Sequence, residues 1–278
     1  MKTISIRLAG GLGNQLFQLG AALLIASKAS YKTIVMDDYA LSSYRVAREC
    51  DLFRFINFSN SGVRIILKRR LLNRFRIPKF FTLKSSFSPF VNDSNFRFII
   101  DSEKCQFRLL DGYFQNLRQR DFEDIVALLK PLSFDRLIES KKINSEVCVV
   151  HIRGGDFIDL GWTETAPQQY YINAMRAMRD TYKVKSFLVV TDDKNYAENV
   201  MGCESFDFKI VSNNMDEDFW ILASYPKRIL SASTFSLWAS ALGKNDKEGV
   251  VIAPDDLIPG LKREFLLQNE IKKSARNL

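Results

Sequence analysis

At 278 residues the chain has room for one large domain or two of roughly 130 residues each. Its 46% hydrophobic and 26% charged residues are ordinary globular composition, and a net charge of +8 leaves nucleic acid, nucleotide and an acidic membrane surface open as anionic partners. A single histidine, His151, removes any zinc site built on several imidazoles and ties any histidine-based triad to that one residue.

The opening KTISIRLA alternates apolar and polar residues and predicts a strand. Its apolar part is short, broken by Ser5 and Arg7 and followed by no cleavage pattern, so it does not read as a signal peptide. Three glycines follow in GGLGNQLFQ, and the apolar spacing from Asn14 to Lys28 predicts a helix. Lys32 to Met36 predicts a second strand, ending in Asp37 and Asp38; this β-turn-α-β opening is the first unit of a doubly wound sheet. Val63 to Lys84 carries eight basic residues and no acid, and predicts a basic amphipathic helix that ends near Arg76, before Pro78. Such a helix is either a solvated face or a contact with an anionic membrane surface or an acidic acceptor.

The string LDGYFQNLRQRDF leads into helical periodicity through Leu132, and the polar patch Glu139 to Glu146 predicts a linker. Beyond it come an apolar strand at Val147 to Val150, a helix at Pro167 to Tyr182 and a strand at Phe187 to Val190. A short strand then ends at Ile229-Leu230, a helix runs from Ser231-Ala-Ser-Thr234 through Leu242, a last strand covers Val250 to Ala253, and an amphipathic closing helix is expected over 261–278. Nothing approaches the ~20 consecutive apolar residues of a membrane span. Cys50, Cys105, Cys148 and Cys203 are scattered without a C-x-x-C, which fits small core residues in a reducing cytoplasm.

Four clusters follow predicted strands, where open α/β sheets place their ligands. In the first, Gly11 and Gly13 fill two positions of a G-x-G-x-x-G fingerprint, but Leu16 stands where the third glycine belongs, and no G-K-[ST] follows. What remains is a pliable turn at a helix start, suited to an anion, with the amide of Asn14 beside it. In HIRGGDF, Arg153 presents a fork shaped for phosphate oxygens, two glycines admit a bulky ligand, and Asp156 orients Arg153 or acts as a base. In FLVVTDD, Asp192 and Asp193 suit ribose hydroxyls, a base edge, a divalent metal or a plain surface turn. In SASTFSLWASAL, Ser233 and Thr234 stand at a helix start that caps free N–H groups or binds phosphate, while Phe235, Trp238 and Leu242 have core spacing.

GGLGNQ near the start, a central GY-Q string, H-x-R-x-G-D, F-x-x-x-[ST]-D-D and S-T-F-S-x-W, in this order, resemble the family 11 glycosyltransferases, the inverting α-1,2-fucosyltransferases, from Gly10 to about Pro254. The resemblance implies an α/β fold of GT-B type, two Rossmann-like domains facing a central cleft. They are expected at 1–143, the acceptor side with the basic insert 63–84, and at 144–278, the donor side. It implies transfer of L-fucose from GDP-β-L-fucose to a glycan hydroxyl, with the 2-OH of a terminal galactose as the family expectation and a lipid-linked O-antigen-type oligosaccharide as one form of acceptor. No metal or other cofactor is implied. Arg153 matches the arginine that holds the pyrophosphate, and His151 and Asp192 match positions near guanine and ribose. Ser233 and Thr234 match the helix start facing the phosphates. Gly11, Gly13 and Asn14 form the turn that approaches the donor, and the catalytic candidates are Arg153, Asp156 and Asn14. Trp162 and Glu164 are candidates to meet the acceptor. The family usually reads H-x-R-R-G-D, and Gly154 replaces its second arginine. A cytoplasmic protein held peripherally at the inner face of the plasma membrane through 63–84, and no nucleic-acid partner, complete the expectation. The competing readings are a metal-dependent nucleotide-sugar transferase using Asp192 and Asp193, a non-catalytic basic binding protein, and a nicotinamide dehydrogenase, the last weakened by Leu16.

Overall fold

The computed structural model describes residues 2–43, 48–68, 90–101, 108–133, 143–202, 205–244 and 246–271. Two compact units divide the chain, Met1–Phe134 and Asp135–Leu278. Part of the polar linker patch, 139–142, lies outside the described residues. Among the described residues no helix is long and apolar enough to cross a membrane.

The first unit contains β1 (Thr3–Arg7), α1 (Leu12–Ala29), β2 (Thr33–Asp37), α2 (Leu52–Phe55), β3 (Arg64–Leu67), β4 (Phe90–Val91), α3 (Phe96–Asp101), β5 (Arg108–Leu110) and α4 (Gln119–Leu129). Its sheet has the order β3-β2-β1-β5-β4, with every pairing parallel. Parallel strands need covering crossovers, and β1 shows why: Ile4, Ser5 and Ile6 are all buried, so both faces of the strand are packed. Helix α1 is buried at every position from Gln15 to Ala26. It lies so close to α4 that a Cβ on Gly20 would come 2.2 Å from Ile125 Cγ2.

The basic segment departs from its expected helix where it is described. Residues Arg64–Leu67 form β3, paired with β2 in the register Ile34↔Ile65 and Val35↔Ile66. Interleaved basic and apolar residues mimic helical amphipathicity, but β-branched Ile65 and Ile66 suit a strand, and the open edge of β2 supplies the hydrogen bonds. Residues 69–84 of the same basic insert lie outside the described residues.

The second unit contains β6 (Val147–Ile152), α5 (Asp156–Asp159), α6 (Gln168–Tyr182), β7 (Ser186–Thr191), α7 (Lys194–Met201), β8 (Phe208–Val211), α8 (Met215–Ser224), β9 (Lys227–Ile229), α9 (Thr234–Leu242), β10 (Val250–Ile252), β11 (Asp256–Ile258) and β12 (Leu261–Lys262). The sheet order is β10-β9-β6-β7-β8, again all parallel. Arg228 in β9 is 1% exposed and donates to the carbonyls of Leu222, Ala223 and Lys244, satisfying the last turn of α8 from inside the core.

The chain does not end on the expected closing helix over its described part, nor is β10 the last strand. β11 and β12 form an antiparallel hairpin turning at Gly260, whose φ of 77° favours glycine. The backbone of Asn269 and Ile271 then hydrogen-bonds Val251 in β10. This course is fixed by a buried, two-pronged ion pair between Arg263 and Glu270, which are 3% and 4% exposed. Arg263 also donates to the carbonyl of Pro254. Helical periodicity in the sequence gives way to this long-range pair. Residues 272–278 lie outside the description.

Candidate functional site

In the second unit the strand order reverses at β6: β7 and β8 extend to one side, β9 and β10 to the other. The carboxyl ends of β6 and β9 therefore frame a topological switch point, where open α/β sheets bind ligands. His151, Arg153, Asp156, Asp192, Ser233 and Thr234 all fall around this end of the sheet. A separate cavity of about 250 Å³, lined by Ile143, Pro226 and Lys244, lies at the opposite, amino end of β6 and β9 and holds none of them.

Arg153 leaves the end of β6 and meets two carboxylates. One Nη lies 2.8 Å from Asp192 Oδ2, the other 2.6 Å from Asp156 Oδ1. Its Nε is buried with no hydrogen-bond partner among the described residues, and the guanidinium lies 5.4 Å above the Phe157 ring. Asp192 is also held through Oδ1, which accepts the Gly154 N–H at 2.9 Å. The two glycines make room for this arrangement. A Cβ on Gly155 would come 2.7 Å from Asp192 Oδ2, and Gly155 has a φ of 44°. A Cβ on Gly154 would come 2.6 Å from Asp193 Cβ, so a second arginine at 154 has no room without movement. Asp193 turns away from Asp192 and caps α7, accepting from Tyr196 N. The two aspartates thus serve different partners. Among the described residues, no group of three or more His, Cys, Asp or Glu is placed to hold a metal ion.

His151 is 4% exposed, and its Nδ1 lies 2.6 Å from Ser231 Oγ. Burial, with the charge of Arg153 adding to it, pushes its pKa down to about 3, so the ring is neutral at ordinary pH. Phe235 packs beside it, ring centroids 5.7 Å apart. Ser233 is the N-cap of α9, its hydroxyl accepting from Phe235 N, and Thr234 is the first helical residue. Of the three core-spaced residues, Trp238 and Leu242 are buried, while Phe235 is half-buried and faces His151.

Trp162 and Glu164 lie on one short 3-10 turn after α5. Trp162 packs edge-on against Phe157, centroids 5.3 Å apart, which links it to Arg153 through that ring. Tyr196, whose ring borders Gly154, hydrogen-bonds Thr163 on the same turn. Asp218 on α8 accepts from Asn213, and burial raises its pKa, with Asp192 among the charges adding to the shift.

The remaining candidates belong to the first unit, whose strand order reverses between β1 and β5. Gly11 is the N-cap of α1, and Gly13 and Asn14 lie in its first turn. The adjacent Gln15 and Gln18 are 0% exposed, and buried amides must be paired. Gln15 donates to the carbonyls of Gly10 and Glu49 and accepts from Asp51 N. Gln18 accepts from Ala9 N and donates to the carbonyl of Gly112. Asn14 accepts from Gln115 Nε2 at 2.8 Å. The GGLGNQLFQ and GYFQ strings therefore meet at one switch point. Tyr196 takes part in this geometry without standing out in the sequence, whereas Phe157, Ser231 and Gln115 fall within HIRGGDF, SASTFSLW and GYFQ; the spacing of two glutamines on an apolar helix is a further signal for the first unit.

Residues 1–273 match glycosyl transferase family 11, and the chain belongs to that family; it is a glycosyltransferase. It is 28% identical over 296 residues to the O-antigen biosynthesis glycosyltransferase WbnK of Escherichia coli, covering 93% of this chain and 96% of that protein. It is 28% identical over 287 residues to an α-1,2-colitosyltransferase of Escherichia coli, covering 96% and 95%. In structure it is similar to the fucosyltransferase NodZ from Bradyrhizobium, with a TM-score of 0.54 at 16% identity over 87% of this chain and 93% of that one. A NodZ α-1,6-fucosyltransferase soaked with GDP-fucose matches at 0.52 and 17% identity, over 87% and 92%. Two Rossmann-like parallel-sheet units of this kind are a GT-B-type fold.

Proposed function

We propose that the chain transfers L-fucose from GDP-β-L-fucose to a glycan hydroxyl, the 2-OH of a terminal galactose, with inversion and without a required metal. The observation that carries this reading is Arg153 at the carboxyl end of β6, positioned by Asp192 and standing at the switch point with the start of α9. The names of the relatives and of NodZ support a nucleotide-sugar donor and an O-antigen-type glycan acceptor.

In this reading an acceptor hydroxyl attacks the anomeric carbon from the face opposite the nucleotide. The bond to the β-phosphate oxygen breaks, and negative charge collects on the departing diphosphate. Arg153 and the backbone N–H groups near Ser233 and Thr234, at the start of α9, stabilise that charge, each well-placed donor lowering the barrier by about 3–4 kcal/mol. A carboxylate, Asp156 or Glu164, takes the hydroxyl proton. His151 is neutral and buried, and its role is to line the nucleotide side with Asp192. Trp162 offers a face for sugar stacking. Asn14, with Gly11 and Gly13, contributes to donor use from the first unit. The basic residues of 63–84 hold the enzyme at an anionic bilayer.

Two assays test this. Thermal stabilisation by GDP, and not by UDP, CMP or NAD, is expected. Fucose transfer to a β-galactoside acceptor should persist in excess chelator; transfer abolished by chelator and restored by a divalent cation would overturn the metal-free mechanism.

A further inference from the structure

Phe157 meets Arg153 on one side and Trp162 on the other, and so joins the arginine proposed for the donor phosphate to the indole proposed for the acceptor. We infer that Phe157 is a positioning residue: it sets the tilt of the Arg153 guanidinium and couples that group to the turn carrying Trp162. This rests on the donor reading above.

The backbone brings the three side chains together. After β6 the chain turns at Gly155 into α5, and the Phe157 N–H closes the turn on the Gly154 carbonyl. Gly161 then takes a φ of 66°. Among the described residues nothing lies within 4 Å of where its Cβ would be, so conformation rather than crowding calls for glycine there. Trp162 is thereby folded back onto Phe157, the two rings meeting at 79°. The other apolar residues between the two glycines, Ile158 and Leu160, are 45% and 53% exposed. Phe157 is the half-buried one, turned inward to the guanidinium and the indole.

The tilt governs how the fork meets a phosphate. Asp192 and Asp156 hold the two Nη atoms, which fixes that edge of the guanidinium but leaves rotation about the line joining them. Among the described residues no hydrogen bond to Nε opposes that rotation. An aromatic face attracts the cation without consuming an N–H, so the Phe157 ring opposes the rotation and leaves the donors to oxygen ligands. Hydrogen bonds weaken steeply as they bend, so a fork at the wrong tilt binds phosphate poorly. A leucine fills the space but lacks the attraction. Trp162 confines the Phe157 ring through an edge-to-face contact, and through that ring it acts on Arg153.

Titration calorimetry of the full chain with GDP, and separately with inorganic pyrophosphate, tests this. The proteins are wild type, Phe157→Leu, Phe157→Tyr, Trp162→Leu and the Phe157→Leu, Trp162→Leu double variant, with thermal unfolding as the check on folding. Phe157→Leu is expected to bind both ligands roughly fivefold weaker, and Phe157→Tyr, which keeps the ring face, to stay within about twofold of wild type. Trp162→Leu is expected to bind about threefold weaker, and adding it to Phe157→Leu should weaken binding no further. A structural role alone would make affinity follow the unfolding midpoint and let the two losses add. Unchanged binding by Phe157→Leu, equal weakening by the leucine and tyrosine variants, or fully additive losses overturns the inference and leaves the donor reading standing. A loss seen with GDP and not with pyrophosphate would place the ring against the nucleoside and overturn its action on Arg153. Should Trp162→Leu fail to fold, the contrast between Phe157→Leu and Phe157→Tyr decides alone; should Phe157→Leu fail to fold, Phe157→Met takes its place. A wild-type chain that binds neither GDP nor pyrophosphate overturns the donor reading and this inference with it.

Discussion

Gln115 reaches back 101 positions in the chain to donate its side-chain amide to Asn14 Oδ1. The loop that aims it is held in an uncommon conformation. Phe114 has a φ of 55°, and the Asp93 carboxylate accepts the N–H groups of both Tyr113 and Phe114. A non-glycine residue at positive φ costs of order 1–3 kcal/mol and persists where its surroundings over-determine it. The orientation of Asn14 is the outcome of that arrangement. Gln115→Ala should therefore lower kcat by up to about a hundredfold while changing stability by only about 1 kcal/mol. Transfer kinetics beside urea unfolding check it, and wild-type kcat would remove Asn14 orientation from the account.

Restoring the arginine of the related pattern should harm this chain. Gly154→Arg places a Cβ against Asp193 and the Tyr196 ring, and overpacking of this kind costs about 1–3 kcal/mol. The expected result in urea unfolding is a lower midpoint with an unchanged slope. A variant as stable as wild type would show that the Asp193–Tyr196 wall yields freely.

The single imidazole gives the stability a readable pH dependence. His151 has its pKa held near 3 in the folded chain against an ordinary 6.5. Between these values the unfolded chain binds a proton that the folded chain refuses. Stability is thus full above about pH 6.5 and falls as pH drops toward 3, with a slope approaching 1.4 kcal/mol per unit at roughly its steepest. Urea midpoints from pH 7.5 to 5 for wild type and His151→Phe check this; parallel curves would contradict the buried neutral ring.

The Arg263–Glu270 pair fixes the tail from within the core. Removing one partner of a buried pair costs about 3–5 kcal/mol, because the other charge is left alone. Glu270→Leu should therefore destabilise strongly, and Arg263→Met with Glu270→Leu should recover much of the loss. Denaturant unfolding of the two variants decides, and equal losses would show that the pairing itself contributes nothing.

The sequence made the strand-end clusters legible because glycines, an arginine and helix-capping hydroxyls concentrate where buried strands stop. The β1–α1 corner, β6, α6, β7 and α9 follow from local pattern alone. What local pattern cannot show is pairing over distance. β3 is a strand because β2 offers it an edge, and the tail avoids a helix because Arg263 finds Glu270. The partnership of Asp192 with Arg153 and the Gly154 N–H spans almost forty residues, beyond the reach of local pattern. GGLGNQLFQ and GYFQ mark Gln15, Gln18 and Gln115 in the sequence, but only the fold brings the backbone carbonyls and Asn14 that pair with their amides.

The most direct measurement is the position of the phosphorus atoms in crystals of the chain soaked with GDP. The account predicts a phosphate within hydrogen-bond distance of the Arg153 guanidinium, with Asp192 still on the opposite Nη. A nucleotide bound with both phosphates away from residue 153 would contradict it.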